Sequence, residues 1–501
     1  MTQSLPQTPV SPSPSYSLAD WRGGTLSLAE EFDYAITDIE GTVPVELQGT
    51  LFRNGPGLLD IGGVPLKHPF DGDGMVCAFR FDRGQVHFRN RYVRTPGYLA
   101  EQAADRILYR GVFGTQKPGG WLANAFDLRL KSIANTQVLY WGGKLLALWE
   151  ADRPYRLDPH SLATLGEESF DQVLAPGTAF AAHAKVVPAA GSRPTRLVSF
   201  GLKPGLSTAL TIYELNEQGQ VVQQQQRSLP GFAFIHDFAV TPNYCIFFQN
   251  PVQFNPLPFL LGLRGPGECI QFQPHQPTRI WIVPRDGQGE MLCLNTDACF
   301  VFHQVNAWEQ SGQIGLDSIC YDRFPSLDPQ QDYRQVDFAA LPPGQLWRFE
   351  LDLASKTVQR HCLKTRCCEF PTLHPAKVGQ DYRYLYLAIA AAAEGNAPLQ
   401  GLMKIDLQTG AEQIWSAAPQ GFMGEPVFVP KPTGEKSFPE HWEEDGWILA
   451  LVYDAHHHRS DLVILEAAHL QAGPIARLHL KHHIPYGLHG SFVDQVFSPS
   501  P

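Results

Sequence analysis

Alternation of apolar and polar residues with a period of two dominates this chain, and the 3.6-residue period of an amphipathic helix is scarce. The alternating stretches recur in one form: a strand ending in an acidic or polar residue, a turn, then a second strand. That form appears as FRFDRGQVHF from Phe79, PYRLDPHSLATLG from Pro154, LTIYELNEQGQVV from Leu210 and WIVPRDGQGEMLCL from Trp281. It returns as LWRFELDLASKTVQ from Leu346, LMKIDLQTGAEQIW from Leu402 and, more loosely, DLVILEAAHLQAGPIARL from Asp461. Seven copies spaced by roughly 55–75 residues predict the blades of an all-β propeller with loops added. A pair of β-sandwiches would carry similar hairpins. Another hairpin, VLYWGGKLLALWE from Val138, turns at Gly142-Gly143, and paired glycines supply the positive φ angles of a two-residue turn.

Two segments depart from this pattern. Residues 113–136, FGTQKPGGWLANAFDLRLKSIANT, read as a helical insertion with an apolar edge, and NPLPFLLGLRG from Asn255 is a second apolar loop. Together they are expected either to dip into a membrane surface or to pack onto the body of the protein. Residues 1–16 are rich in Pro, Ser and Gln and have no apolar core, which predicts a disordered tail rather than a signal peptide. No clean linker follows, so 17–501 is expected to be a single propeller domain.

Composition narrows the class. The 501 residues are 44% hydrophobic, with 44 Gly and 41 Pro, which suits a large turn-rich β core. A net charge of −11 argues against a nucleic-acid partner. No apolar segment reaches 18 residues, so no span is expected. Nine scattered cysteines without a CxxC pair indicate neither a disulfide framework nor a thiolate zinc site, and point to the reducing cytoplasm.

The candidate chemistry lies in histidines placed against this background. In GFAFIHDFAV (231–240), an apolar strand is interrupted by His236 and Asp237, whose burial costs free energy unless each finds a partner. His183, His303 and His489 sit in similar surroundings, whereas His160, His275, His361, His441 and the His456–His458 run lie in polar contexts. Inner strands of different propeller blades converge on one axis, so four such histidines fit one metal ion; taken singly, each also fits a hydrogen-bonded core histidine. Glu150, Glu369 and Glu425 lie in apolar flanks as well. A buried carboxylate is compensated when it accepts the Nδ1–H of a metal-bound histidine, or when it pairs with an arginine such as Arg366 beside Glu369.

Several stretches taken together resemble the carotenoid cleavage oxygenase family: LFRNGPG (51–57), HPFDGDGMV (68–76), IHDFAVT (235–241), FHQVNAWE (302–309), CEFP (368–371) and IPYGLHG (484–490). The resemblance runs from about residue 16 to about residue 492. It implies a seven-bladed β-propeller with helical and loop insertions forming a cap and a nonpolar tunnel over one axial Fe(2+). It also implies iron ligands His183, His236, His303 and His489. Glu150 would hold His236, Glu369 His303 and Glu425 His489, with no glutamate for His183 and with Thr136 beside an open coordination site. The implied activity is O2-dependent cleavage of apocarotenoids at the central double bond to retinal and a shorter aldehyde, with peripheral membrane contact. Phe70, Phe113, Trp149, Phe302 and Tyr321 are candidates for the tunnel wall, and each equally suits the propeller core. Val305, Trp308 and the loop 250–262 are further positions expected to shape the tunnel. Cleavage of another polyene or a stilbene, isomerisation coupled to ester hydrolysis, or a non-catalytic binding scaffold are the alternatives. The sequence leaves the oligomeric state open.

Overall fold

Each of the seven repeated hairpins belongs to a sheet of its own. In a computed structural model, which describes residues 16–328, 331–432 and 442–498, the seven sheets form the blades of a β-propeller. Residues 1–15 of the predicted tail and His441 lie outside the described residues.

Blade 2 begins with Gln137–Trp141, blade 3 with Lys185–Val187, blade 4 with Ala239–Val240, blade 5 with Phe300–Gln310 and blade 6 with Cys368–Thr372. In these five blades the repeated hairpin is the outer pair of strands. The two remaining blades are completed by the ends of the chain. Gly490–Val493 pairs with Gly49–Arg53 at the inner edge of blade 1, and Ile39–Gly41 pairs with Pro474–His479 at the outer edge of blade 7. Ring closure therefore needs both ends in place.

Seven apolar clusters fill the spaces between neighbouring blades, one for each adjacent pair including blades 7 and 1. A blade buries both of its faces, which is why a middle strand such as Tyr384–Ala390 is buried at every position. Phe79, Phe200 and Phe247 are completely buried in these clusters, and each contributes about 2 kcal/mol of apolar burial. Gly142 and Gly143, at φ 57° and 76°, make the predicted tight turn between the first two strands of blade 2.

The expected helical insertion is mostly irregular. Only Gly120–Asn124 is helical, because Pro118-Gly119-Gly120 breaks the chain just before it and Phe126 (φ 58°) turns it just after. All nine cysteines are free.

Candidate metal centre

The innermost strands of the blades meet along the axis: Ala239–Val240 touches Phe300–Gln310, which touches Cys368–Thr372, and Gln137–Trp141 touches Gly490–Val493. Four blades bring a histidine to this junction and the other three bring a glutamate. His489 directly precedes the closing strand of blade 1, His183 and His236 lie just before the first strands of blades 3 and 4, and His303 is within that of blade 5. Glu150 follows the second strand of blade 2, Glu369 is in the first strand of blade 6, and Glu425 sits between Gly421–Met423 and Val427–Pro430 of blade 7.

One ring nitrogen from each of the four histidines lies within 4.8 Å of all the others. The glutamates stand behind them. His303 Nδ1 is 2.5 Å from Glu369 Oε2, and His489 Nδ1 is 2.8 Å from Glu425 Oε1. Glu150 Oε1 approaches His236 Nδ1 to 3.0 Å, but without the alignment of a hydrogen bond. His183 has no glutamate; the nearest carboxylate oxygen, Asp237 Oδ1, is 3.9 Å from its Nδ1. Arg366 donates to the Ala390 carbonyl, so the ion pair considered for Glu369 does not form.

Backbone irregularity aims these groups. The ladder between the first two strands of blade 5 slips on either side of Gln304, next to His303. A similar slip after Glu369 leaves Phe370 at φ 52°, unusual for a bulky side chain. After His489, a Cβ at Gly490 would stand 2.2 Å from the Phe52 carbonyl oxygen, so only glycine fits. Its N–H then donates to Glu425 Oε2.

Burial favours the neutral imidazole at His183 and His489. Burial, reinforced by the three other histidines, pushes the pKa of His183 well below its ordinary value, and burial also lowers that of His489. For His303 burial pulls down, but the adjacent Glu369 prevails and raises the pKa. Glu425 is held down to about 2: burial opposes ionisation, and His489 and Arg53 overcome it. A carboxylate facing Nδ1 keeps the proton on that atom and presents Nε2 as a ligand.

Two observations test whether a cation suits the junction. His303 Nε2 is buried with no hydrogen-bond partner, and His183 Nε2 lies 2.8 Å from His236 Nε2. Two such nitrogens this close must either share a proton or face a cation, and the orphaned third favours the cation. The donor set therefore fits a divalent transition metal that accepts imidazole.

Aromatic rings form one wall beside the histidines. Phe302 stands edge-on to His236 with centroids 5.6 Å apart, and Tyr321 lies 5.9 Å from Phe302. Phe234, Phe300 and Phe324 extend the wall away from the histidines. Phe70 and Phe113 pack on each other and on His68, and the Phe70 carbonyl accepts from Asn135, next to Thr136. Thr136 is buried, and its carbonyl accepts the His489 N–H. Trp149 is buried immediately before Glu150.

Sequence reasoning missed Phe370, whose ring lies 5.5 Å from both His303 and His489. Strict alternation puts residues 369 and 370 on opposite faces, and only the slipped ladder turns both inward. Arg53, bonded to Glu425 Oε2, was missed too, although its place in LFRNGPG was a signal. Val305 and Trp308 do not face the centre. They pack in the apolar cluster between blades 5 and 6, where Trp308 meets Tyr382.

The two apolar loops lie side by side. Arg110, fully buried, donates to the Asn124 and Asp127 carbonyls of one and to the Arg264 carbonyl of the other. Trp121, Leu122, Phe126, Leu128, Leu257 and Leu263 are all more than half exposed on this rim. No helix among the described residues is long and apolar enough to cross a membrane.

Comparison with known proteins agrees with this architecture. Residues 25–494 match the family model described as retinal pigment epithelial membrane protein. The chain is 54% identical over 482 residues to apocarotenoid-15,15′-oxygenase of Synechocystis sp., covering 95% of this chain and 97% of that protein. It is 30% identical over 488 residues to lignostilbene-α,β-dioxygenase isozyme III of Sphingomonas paucimobilis, covering 93% and 94%. A solved structure of cobalt-substituted Synechocystis apocarotenoid oxygenase matches with a TM-score of 0.93 at 52% identity, over 96% of this chain and 100% of that one. With its seven blades, its axial histidines and this degree of likeness along nearly its whole length, the chain belongs to the retinal pigment epithelial membrane protein family, the carotenoid cleavage oxygenases.

Proposed function

We propose that this chain is a non-haem Fe(II) dioxygenase that cleaves the central 15,15′ double bond of apocarotenoids, β-apocarotenals or β-apocarotenols, giving retinal and a shorter aldehyde. The observation that carries the reading is the convergence of four imidazoles, three of them backed by carboxylates, beside an aromatic wall. His183, His236, His303 and His489 hold one Fe(2+) per chain. Fe(II), when bound, supplies the redox chemistry by which both atoms of O2 enter across one C=C bond, one on each carbon. Glu369 and Glu425 keep the Nδ1 protons of His303 and His489 in place, Glu150 stands opposite Nδ1 of His236, and all three would offset the charge of the metal without binding it.

The substrate polyene has no group that must bind metal, so placement decides which bond is cut. Phe302 and Phe370 stand against the histidines, and with Tyr321 behind Phe302 they form an apolar wall that fixes the register of the chain and excludes water. Phe70, Phe113 and Trp149 continue this wall, and Thr136 would lie beside a position that the four imidazoles leave free on the metal. Residues 17–501 act as one catalytic unit. The exposed apolar rim lets a cytoplasmic protein touch a membrane surface, where so hydrophobic a substrate partitions.

Aerobic incubation of the iron-loaded protein with a β-apocarotenal, followed by chromatography and mass analysis, tests the reading. Retinal plus a shorter dialdehyde is expected, and cleavage at another bond would move the substrate register. A second reading, stilbene cleavage, is favoured by the 30% likeness to a lignostilbene dioxygenase. It predicts turnover of a hydroxystilbene and none of the apocarotenal. Flotation with lipid vesicles tests the rim: Leu122→Ser with Phe126→Ser should abolish binding and leave cleavage in detergent intact.

A further inference from the structure

We infer that Asp237 is a positioning residue for the histidine cluster: one buried carboxylate that ties the His183, His236 and His303 segments together, with Lys185 as its counter-charge. Asp237 is 3% exposed. Its Oδ1 accepts from Lys185 Nζ at 2.8 Å and from its neighbour's amide, Phe238 N, at 2.7 Å. Its Oδ2 accepts from Gln304 N at 2.8 Å.

Each of these partners belongs to a histidine segment. Asp237 follows His236 in blade 4, Gln304 follows His303 in blade 5, and Lys185 lies two residues beyond His183 in blade 3. Gln304 sits where the blade 5 ladder slips on both sides, and the carboxylate satisfies its buried amide. The same carboxylate is the one standing closest to His183, the histidine without a glutamate. At 3.9 Å from Nδ1 it is too far for a hydrogen bond and close enough to attract the ring's polarised N–H edge. The charge is buried and therefore needs a cation. Lys185, whose side chain is 24% exposed, supplies one while keeping contact with solvent. Three blades thus share a charged tie at the level of the metal centre.

This inference rests on the four histidines being a metal site, and the test separates the two ideas. Chelator-stripped full-length protein is titrated with Co(II), reading the visible absorption bands and the affinity by competition with a chelator. Asp237→Ala is expected to weaken Co(II) binding by roughly tenfold or more and to shift the bands. Asp237→Asn keeps the shape and one acceptor oxygen, should fold where alanine fails, and should lie between alanine and wild type. Lys185→Met, which spares both backbone bonds, should move the bands less than Asp237→Ala does. Unchanged affinity and bands in folded Asp237→Asn and Asp237→Ala would overturn the inference. A wild-type Co(II) spectrum indifferent to His303→Ala would overturn the metal reading beneath it.

Discussion

His303 and His489 bond to glutamates that are themselves held twice, whereas on the opposite side of the cluster no carboxylate makes an aligned bond to an imidazole. Glu369 accepts from the Tyr321 hydroxyl at 2.6 Å and from the Phe370 amide at 2.7 Å as well as meeting His303. Glu425 is fixed by Arg53 at 2.5 Å and by the Gly490 amide at 2.9 Å. Across the axis, Glu150 is 32% exposed and meets His236 out of alignment, and His183 has no glutamate. Carboxylate support bonded directly to the imidazoles is therefore concentrated where blades 5 to 7 meet blade 1. On the side of blades 2 to 4, next to Thr136 and Trp149, the tie runs through Asp237 and the histidine segments rather than through an aligned bond to a ring. The difference suits a centre in which one half orients its ligand rings directly and the other positions them through the backbone.

The sharpest test of that division is to remove an imidazole from the directly supported half. His303→Ala or His489→Ala should abolish both bound metal and cleavage, as read by metal analysis and product formation. Next in size is Glu425→Gln. It strips the charge partner from Arg53, whose side chain is only 7% exposed, and should cost about 3 kcal/mol in urea unfolding. It should also weaken metal binding roughly tenfold to a hundredfold. Glu369→Gln should weaken metal binding by roughly tenfold with little loss of stability, and Glu150→Gln should weaken it less. An equal or larger loss for Glu150→Gln, measured by the same competition assay, would break the comparison. The smallest effect belongs to Tyr321→Phe. Losing one hydrogen bond to Glu369 should weaken metal binding only about twofold, roughly 0.5 kcal/mol, and leave the ring's contact with Phe302 unchanged.

Particular residues show how far the pattern of the chain could be followed. The seven hairpins were visible because period-two alternation is a local property, and Gly142-Gly143 marked its turn by backbone freedom alone. The four histidines stood out because an ionisable group in an apolar strand needs a reason. Phe370 escaped the same reasoning because slips in the ladder reverse which face a residue takes, and Val305 and Trp308 were misplaced by it. Those slips arise where neighbouring blades crowd the axis, and local sequence does not record them. The charged supports were equally hidden: Arg53 and Glu425 are 372 positions apart.

The sequence by itself determined the blades, the turn between the first strands of blade 2 and the identity of the histidines and glutamates, since each depends on a residue and its immediate flanks. Its likeness to a family, rather than any spacing, suggested which glutamate serves which histidine. Only the tertiary structure decided that one functional group arrives from every blade, which carboxylates are held firmly, and that Asp237 joins three blades. These depend on closure of the ring by Gly490–Val493 and Ile39–Gly41, strands from opposite ends of the chain. Distances across the axis exist only once that closure has been made.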